Sequence, residues 1–176
     1  MAGFDTNTDY IAPEGPYVLK GISYELQPET MDYIEPVSVD EFKAYASIDG
    51  DTFDEDIIEV LTSARVAIET YCQLSFGIRD VIFQAIECPK GYLLKWGKVG
   101  SINTPGFTEF NGYLKEGGKE ITVSFTTTDY YGQFADIKLA IKKQAYNFYE
   151  NKDQYGMNLP NEVTRLVSKY RHIQFP

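Results

Sequence analysis

Histidine is almost missing from this 176-residue chain: the single one, His172, is the fifth residue from the end of the sequence. A lone imidazole leaves no Ser-His-Asp, Cys-His or multi-His arrangement to assemble, so the common nucleophilic and metal mechanisms have no support. His172 reads as an exposed or interface residue. Cysteine is scarce as well. Cys72 and Cys88 are too few for a disulfide framework and form no CxxC pair, which removes a zinc site and marks both as buried thiols. No run approaches the roughly 18 consecutive apolar residues of a membrane span. The opening MAGFDTNTDY lacks the basic then apolar pattern of an export signal. These absences predict a protein kept in the cytosol unless carried out inside a larger particle, with no membrane contact.

Basic residues are also few, 16 against 26 acids, for a net charge of −10. A protein that binds nucleic acid by neutralising phosphates needs the opposite balance. The distribution is uneven: residues 1–60 hold fifteen acids against Lys20 and Lys43, whereas residues 61–176 carry a net +3. Two readings follow: a solvated acidic arm, or head-to-tail complementarity in which the acidic part of one copy meets the basic part of the next.

What is present in quantity is apolar and aromatic, 43% and 15%, enough for one packed domain and an appended arm. Residues 1–37 show neither helical nor strand period. They carry Pro13, Pro16, Pro28 and Pro36 together with Phe4, Tyr10, Tyr17, Tyr24 and Tyr33. An extended arm is predicted, and its aromatics imply that it packs on something.

Ser38 followed by Glu41 is a capping-box signature, opening a first helix over 39–47. After the turn residues 48–52, Asp54, Glu55 and Asp56 stand where a helix dipole favours acids. Ile57, Leu61, Ala64, Ile68 and Tyr71 then give a second helix over 54–74. From 78 to 131 short β-rich runs such as Ile121–Phe125 alternate with Gly and Pro, predicting a small antiparallel insertion. Ile137, Ala140, Ile141, Ala145, Phe148 and Tyr149 make a third helix over 134–152, and Val163, Leu166, Val167 and Tyr170 a short fourth.

No motif carries chemistry. The acids at 54–56 lack the ligand spacing of a calcium loop and are read as helix-start acids. KGYLLKWGKVG matches no phosphate-binding pattern. Trp96 with Lys95 and Lys98 could stack on a base or sugar, but anchoring of the β insertion is the preferred reading.

The order of elements resembles a known family. VSVDEFKAYASIDGDTFDEDIIEVLTSARVAIETYC (37–72) is similar to the opening of phage head–tail connector proteins of the gp6-like DNA-packaging family, the head completion proteins. DIKLAIKKQAYNFYENKD (136–153) looks like that family's third helix, and PNEVTRLVSKYR (160–171) like its closing segment. The resemblance implies a mainly α fold: a four-helix connector-type core over 38–171, with a small antiparallel β insertion (78–131) between helices 2 and 3. An extended N-terminal arm (1–37) precedes this core and a short tail (172–176) follows it.

It further implies a non-enzymatic virion structural protein without cofactor or metal, assembled in the host cytoplasm into a homo-oligomeric adaptor ring, usually twelve-fold, at the head–tail junction. The ring would contact the portal protein above and tail or neck proteins below. Encapsidated DNA would pass its acidic channel without sequence-specific binding. In such a ring, Asp54, Glu55, Asp56 and Glu59 are expected to face Lys138, Lys142 and Lys143 of a neighbour, and Tyr170, Arg171, Ile173 and Phe175 to dock on the portal. The alternatives are a tail-side neck or tail completion protein, a glycan-binding module using Tyr92, Trp96 and Phe110, and a carboxylate-based hydrolase.

Overall fold

The computed structural model describes residues 19–28, 33–151 and 159–171. Among them, four helices form at the segments with helical period. α1 (Val39–Ala46) starts on the capping box: the Ser38 N–H donates to Glu41 Oε2 (3.0 Å) and the Glu41 N–H donates to Ser38 Oγ (3.1 Å). α2 (Asp54–Cys72) begins with Asp54, Glu55 and Asp56 in its first turn and ends at Gln73, whose left-handed backbone (φ 56°) turns the chain away. α3 (Ala135–Glu150) and α4 (Asn161–Val167) complete the set. Their apolar stripes meet in one core that includes Phe42, Ile57, Leu61, Ile68, Ile141, Phe148 and Val163.

The strands correct the mainly α expectation. Seven are present among the described residues: β1 (Ser23–Leu26), β2 (Asp80–Cys88), β3 (Tyr92–Leu93), β4 (Val99–Ile102), β5 (Glu109–Phe110), β6 (Tyr113–Leu114) and β7 (Gly118–Thr127). They build two antiparallel sheets, one of four strands ordered β1-β2-β7-β4 and one of three ordered β3-β6-β5. The fold is therefore α+β. The physical reason lies in the long β2–β7 ribbon, which alternates over its central residues. Val81 pairs with Phe125, Phe83 with Val123 and Ala85 with Ile121, and all six are buried. With Tyr92, Leu94 and Leu114 they make a second apolar core, separate from that of the helices. β2 to β7 all lie between α2 and α3, and with β1 they carry a core of their own, which is why the fold is α+β and not mainly α.

Part of the segment expected as an arm joins this sheet. β1 pairs antiparallel with β2, Tyr24 opposite Phe83, and the bridge Lys20–Glu87 continues the ladder. Tyr24 packs on Phe83 (ring centroids 5.1 Å), and its hydroxyl donates to Tyr92 (3.1 Å) and accepts from the Lys95 N–H (3.1 Å). The helical and β halves are stitched where α2 ends: the Ser75 N–H donates to the Trp96 carbonyl (2.8 Å) and the Trp96 N–H to that of Gln73 (3.2 Å). No helix among the described residues is long and apolar enough to cross a membrane.

Candidate interaction surfaces

α2 carries two charges on its buried face, Arg65 and Glu69, one turn apart and 0% and 3% exposed. Burying an ion pair is expensive unless its remaining hydrogen-bonding groups are satisfied. Here they are widely engaged. Arg65 donates from Nη1 to Glu69 Oε2 (2.8 Å) and from Nε to both carboxylate oxygens of Glu35 (3.0 and 2.9 Å). Glu69 also accepts the Phe76 N–H (2.7 Å), just past the helix end, and lies 3.7 Å from Arg79. Burial works against the Arg65 charge, but Glu69 and Glu35 outweigh it and hold the pKa above the ordinary value.

The cluster fastens the segment that precedes α1. The Arg65 guanidinium lies 4.5 Å from the centre of the Tyr33 ring, and that ring covers Gly77 so closely that a Cβ there would come within 2.1 Å of it. Glu35 further accepts the Thr62 hydroxyl (3.1 Å). Beside it lies a cleft of about 470 Å³ lined by residues of 33–36, 76–78 and 129–133, with Lys138.

The charged residues singled out from the sequence are dispersed. Asp54 pairs with Lys43, which also reaches Asp51 (2.9 Å); these hydrogen bonds raise the Lys43 pKa. Glu55, Asp56 and Glu59 are exposed on α2. Lys138 sits 3.6 Å from Glu41, Lys143 bonds Glu162 (2.8 Å), and Lys142 lies 5.9 Å from the centre of the Tyr45 ring. Each lysine thus has a contact in its own chain. Tyr170 is half-buried: it stacks on Phe134 (5.6 Å) and donates to Asp136 (2.8 Å). Arg171 lies over Tyr71 at 4.8 Å. His172, Ile173 and Phe175 lie outside the described residues.

The aromatics of the glycan alternative do not converge. Tyr92 is 6% exposed and stacked on Phe83 (5.1 Å), Trp96 is half-buried at the junction, and Phe110 is exposed on β5. Cys72 and Cys88 are buried, and burial raises their thiols to about 12 and about 11. Among the described residues no three His, Cys, Asp or Glu side chains gather as a metal set.

Sequence reading missed the Arg65–Glu69–Glu35 cluster. Its trace was there: an Arg and a Glu four residues apart inside the apolar stripe of the second helix, positions that core packing alone would fill with aliphatic residues.

Fold and surface together define an α+β domain whose most elaborate polar structure holds a chain segment in place. No family model matches the sequence, and no curated protein matches it significantly. Solved structures do share the fold. A chain of a structure described as "Neck of empty GTA particle computed with C6 symmetry" is 15% identical with a TM-score of 0.66, over 86% of this chain and 97% of that one. A chain of "Virion of native gene transfer agent (GTA) particle" is 13% identical with a TM-score of 0.63, over 87% and 97%. One of "Neck of native GTA particle computed with C12 symmetry" is 15% identical with a TM-score of 0.61, over 86% and 97%.

Proposed function

We propose that this chain is a structural, non-enzymatic subunit of the neck of a phage-like particle, and within the neck a subunit of the head-to-tail adaptor ring that joins portal to tail and extends the DNA channel. The observation that carries the reading is the fold shared with neck chains across 97% of their length. The net charge of −10 is in keeping with it, because acidic channel walls avoid the phosphate contacts that would retain passing DNA. C6 and C12 symmetry, used for the neck structures that match, suit a ring of repeated copies.

Within such a ring Asp54, Glu55, Asp56 and Glu59 face Lys138, Lys142 and Lys143 of the neighbouring subunit. Tyr170, Arg171, Ile173 and Phe175 form the portal-facing end. The contacts that these lysines make in their own chain, two partly exposed ion pairs and the Lys142 contact with the Tyr45 ring, are of small energetic worth and can be exchanged on assembly. A tail-side neck position, with the same fold used one layer lower in the particle, is the second reading, since the matching chains belong to neck structures.

The test is cryo-electron microscopy of this protein combined with the portal of its own particle. Ring density coaxial with the portal is the expected result. A ring that binds only tail components would select the second reading, and a protein that forms no ring with either would overturn both.

A further inference from the structure

Ile34 is 85% exposed, more than any other large apolar side chain among the described residues, yet the backbone on both sides of it is fastened. Tyr33 is pinned over Gly77 and beside Arg65, Glu35 is held by Arg65 and Thr62, and Pro36 lies where a Cβ on Gly132 would approach it to 3.3 Å. A loose loop would turn such a side chain inward; this one displays it. On the same flank, on either side of Thr62, α2 exposes Ile58 (52%) and Val66 (44%), with Glu55 and Glu59 among them. Three exposed apolar side chains thus stand on one flank with two acids among them, a surface that a partner would cover.

A different surface lies on the outer side of α3. Its buried residues Ile137, Ile141, Ala145 and Phe148 share one face, which leaves Tyr146 on the other, 40% exposed and edge-on to Tyr45 of α1 (6.2 Å). Lys142 sits by Tyr45, and a groove between α3 and α4 is lined by Lys143, Glu162, Arg165 and Leu166. Because α2 and α3 meet through their buried stripes, their outer ridges point away from each other. Two unlike patches on opposite sides, one apolar with acids and one aromatic with bases, are what a heterologous contact repeated from copy to copy requires.

We infer that the occupant of the α2 face is a second copy of this chain: Ile34, Ile58 and Val66 of one subunit pack on Tyr45 and Tyr146 of the next, with Glu55 and Glu59 at the rim facing Lys142 and Arg165. This rests on the ring reading above and adds its apolar anchors. It also gives the buried cluster a purpose. Glu35 and Arg65 are positioning residues that hold Ile34 for the neighbour.

The experiment uses necks assembled from the full chain carrying both Val66→Cys and Tyr146→Cys, treated with a short bismaleimide. The native thiols are buried and unreactive, so the introduced ones report selectively. A ladder of covalent oligomers is expected with the double variant, and none with either single variant. Ile34→Ser should weaken each contact about tenfold, the worth of one buried aliphatic side chain, with an unchanged melting temperature. Glu35→Ala should thin the ladder in the same way although it removes no contacting atom. Rings visible by microscopy without a ladder would overturn this interface and leave the ring reading standing. Absence of rings in the unsubstituted protein would remove both.

Discussion

Replacing Glu69 with alanine tests the central claim about how this domain is held together. The side chain is 3% exposed and serves three partners: Arg65 at 2.8 Å, the Phe76 N–H at 2.7 Å and Arg79 at 3.7 Å. Without it, Arg65 keeps Glu35 but loses its buried partner, and the Phe76 N–H loses its acceptor beside the junction of the two cores. Breaking a buried pair from one side costs about 3–5 kcal/mol because a buried charge is left behind. The orphaned N–H is part of that cost rather than an addition to it. Against a total stability of about 5–15 kcal/mol this is a large fraction. At about 2–4 °C per kcal/mol for a chain of this size, the melting temperature should fall by roughly 6–20 °C. Urea denaturation of Glu69→Ala beside Glu69→Gln is the assay. The glutamine keeps an acceptor for the Phe76 N–H while losing the charge, so it should fall between wild type and alanine. A loss under about 1 kcal/mol for the alanine variant would refute the reasoning and reduce the cluster to an ornament of an otherwise apolar core.

Ser38→Ala removes half of the capping box and should cost about 1 kcal/mol, read as a lower urea midpoint; no change would mean that α1 is fixed by Phe42 packing alone. Gln144 is 1% exposed and neither its amide nitrogen nor its oxygen has a hydrogen-bond partner among the described residues, so Gln144→Met should raise stability by about 1–2 kcal/mol in the same assay, and a fall would show that the amide is satisfied. In acid the sign is set by carboxylates whose folded pKa is depressed: Glu41, chiefly by the Ser38 N–H, and Asp136, where burial pushes the pKa up but bonds from Lys169 and Tyr170 prevail. Their contribution is complete above the ordinary carboxylate value of about 4 and is lost as pH falls through their lower folded values. Asp136→Asn should therefore flatten the acid limb of a stability–pH curve, and an unaltered limb would remove Asp136 from the account.

How much of this was legible in the sequence differs by element. The Ser38 and Glu41 spacing, the acids at 54–56 and the stripe from Ile137 to Phe148 depend on residues within a turn or two of each other, so local periodicity was enough for four helices. The alternation of Ile121, Val123 and Phe125 was equally plain, and a strand could be read from it. Its weight in the fold could not, because that depends on pairing with Val81, Phe83 and Ala85 some forty residues away and on Ser23–Leu26 folding back to form the sheet edge. Hence the mainly α expectation and its correction to α+β.

For the surfaces the division is sharper. Composition by itself determined the acidic balance and the lack of histidine. It could not show that Lys138 and Lys143 already touch Glu41 and Glu162, since those partners lie on other helices. Nor could any local pattern reveal that Arg65 reaches back thirty residues to Glu35 and holds Ile34 out in water. Local order follows from neighbours along the chain; which side chains are buried, paired or displayed is decided only when distant segments pack against each other, and that is a property of the tertiary structure.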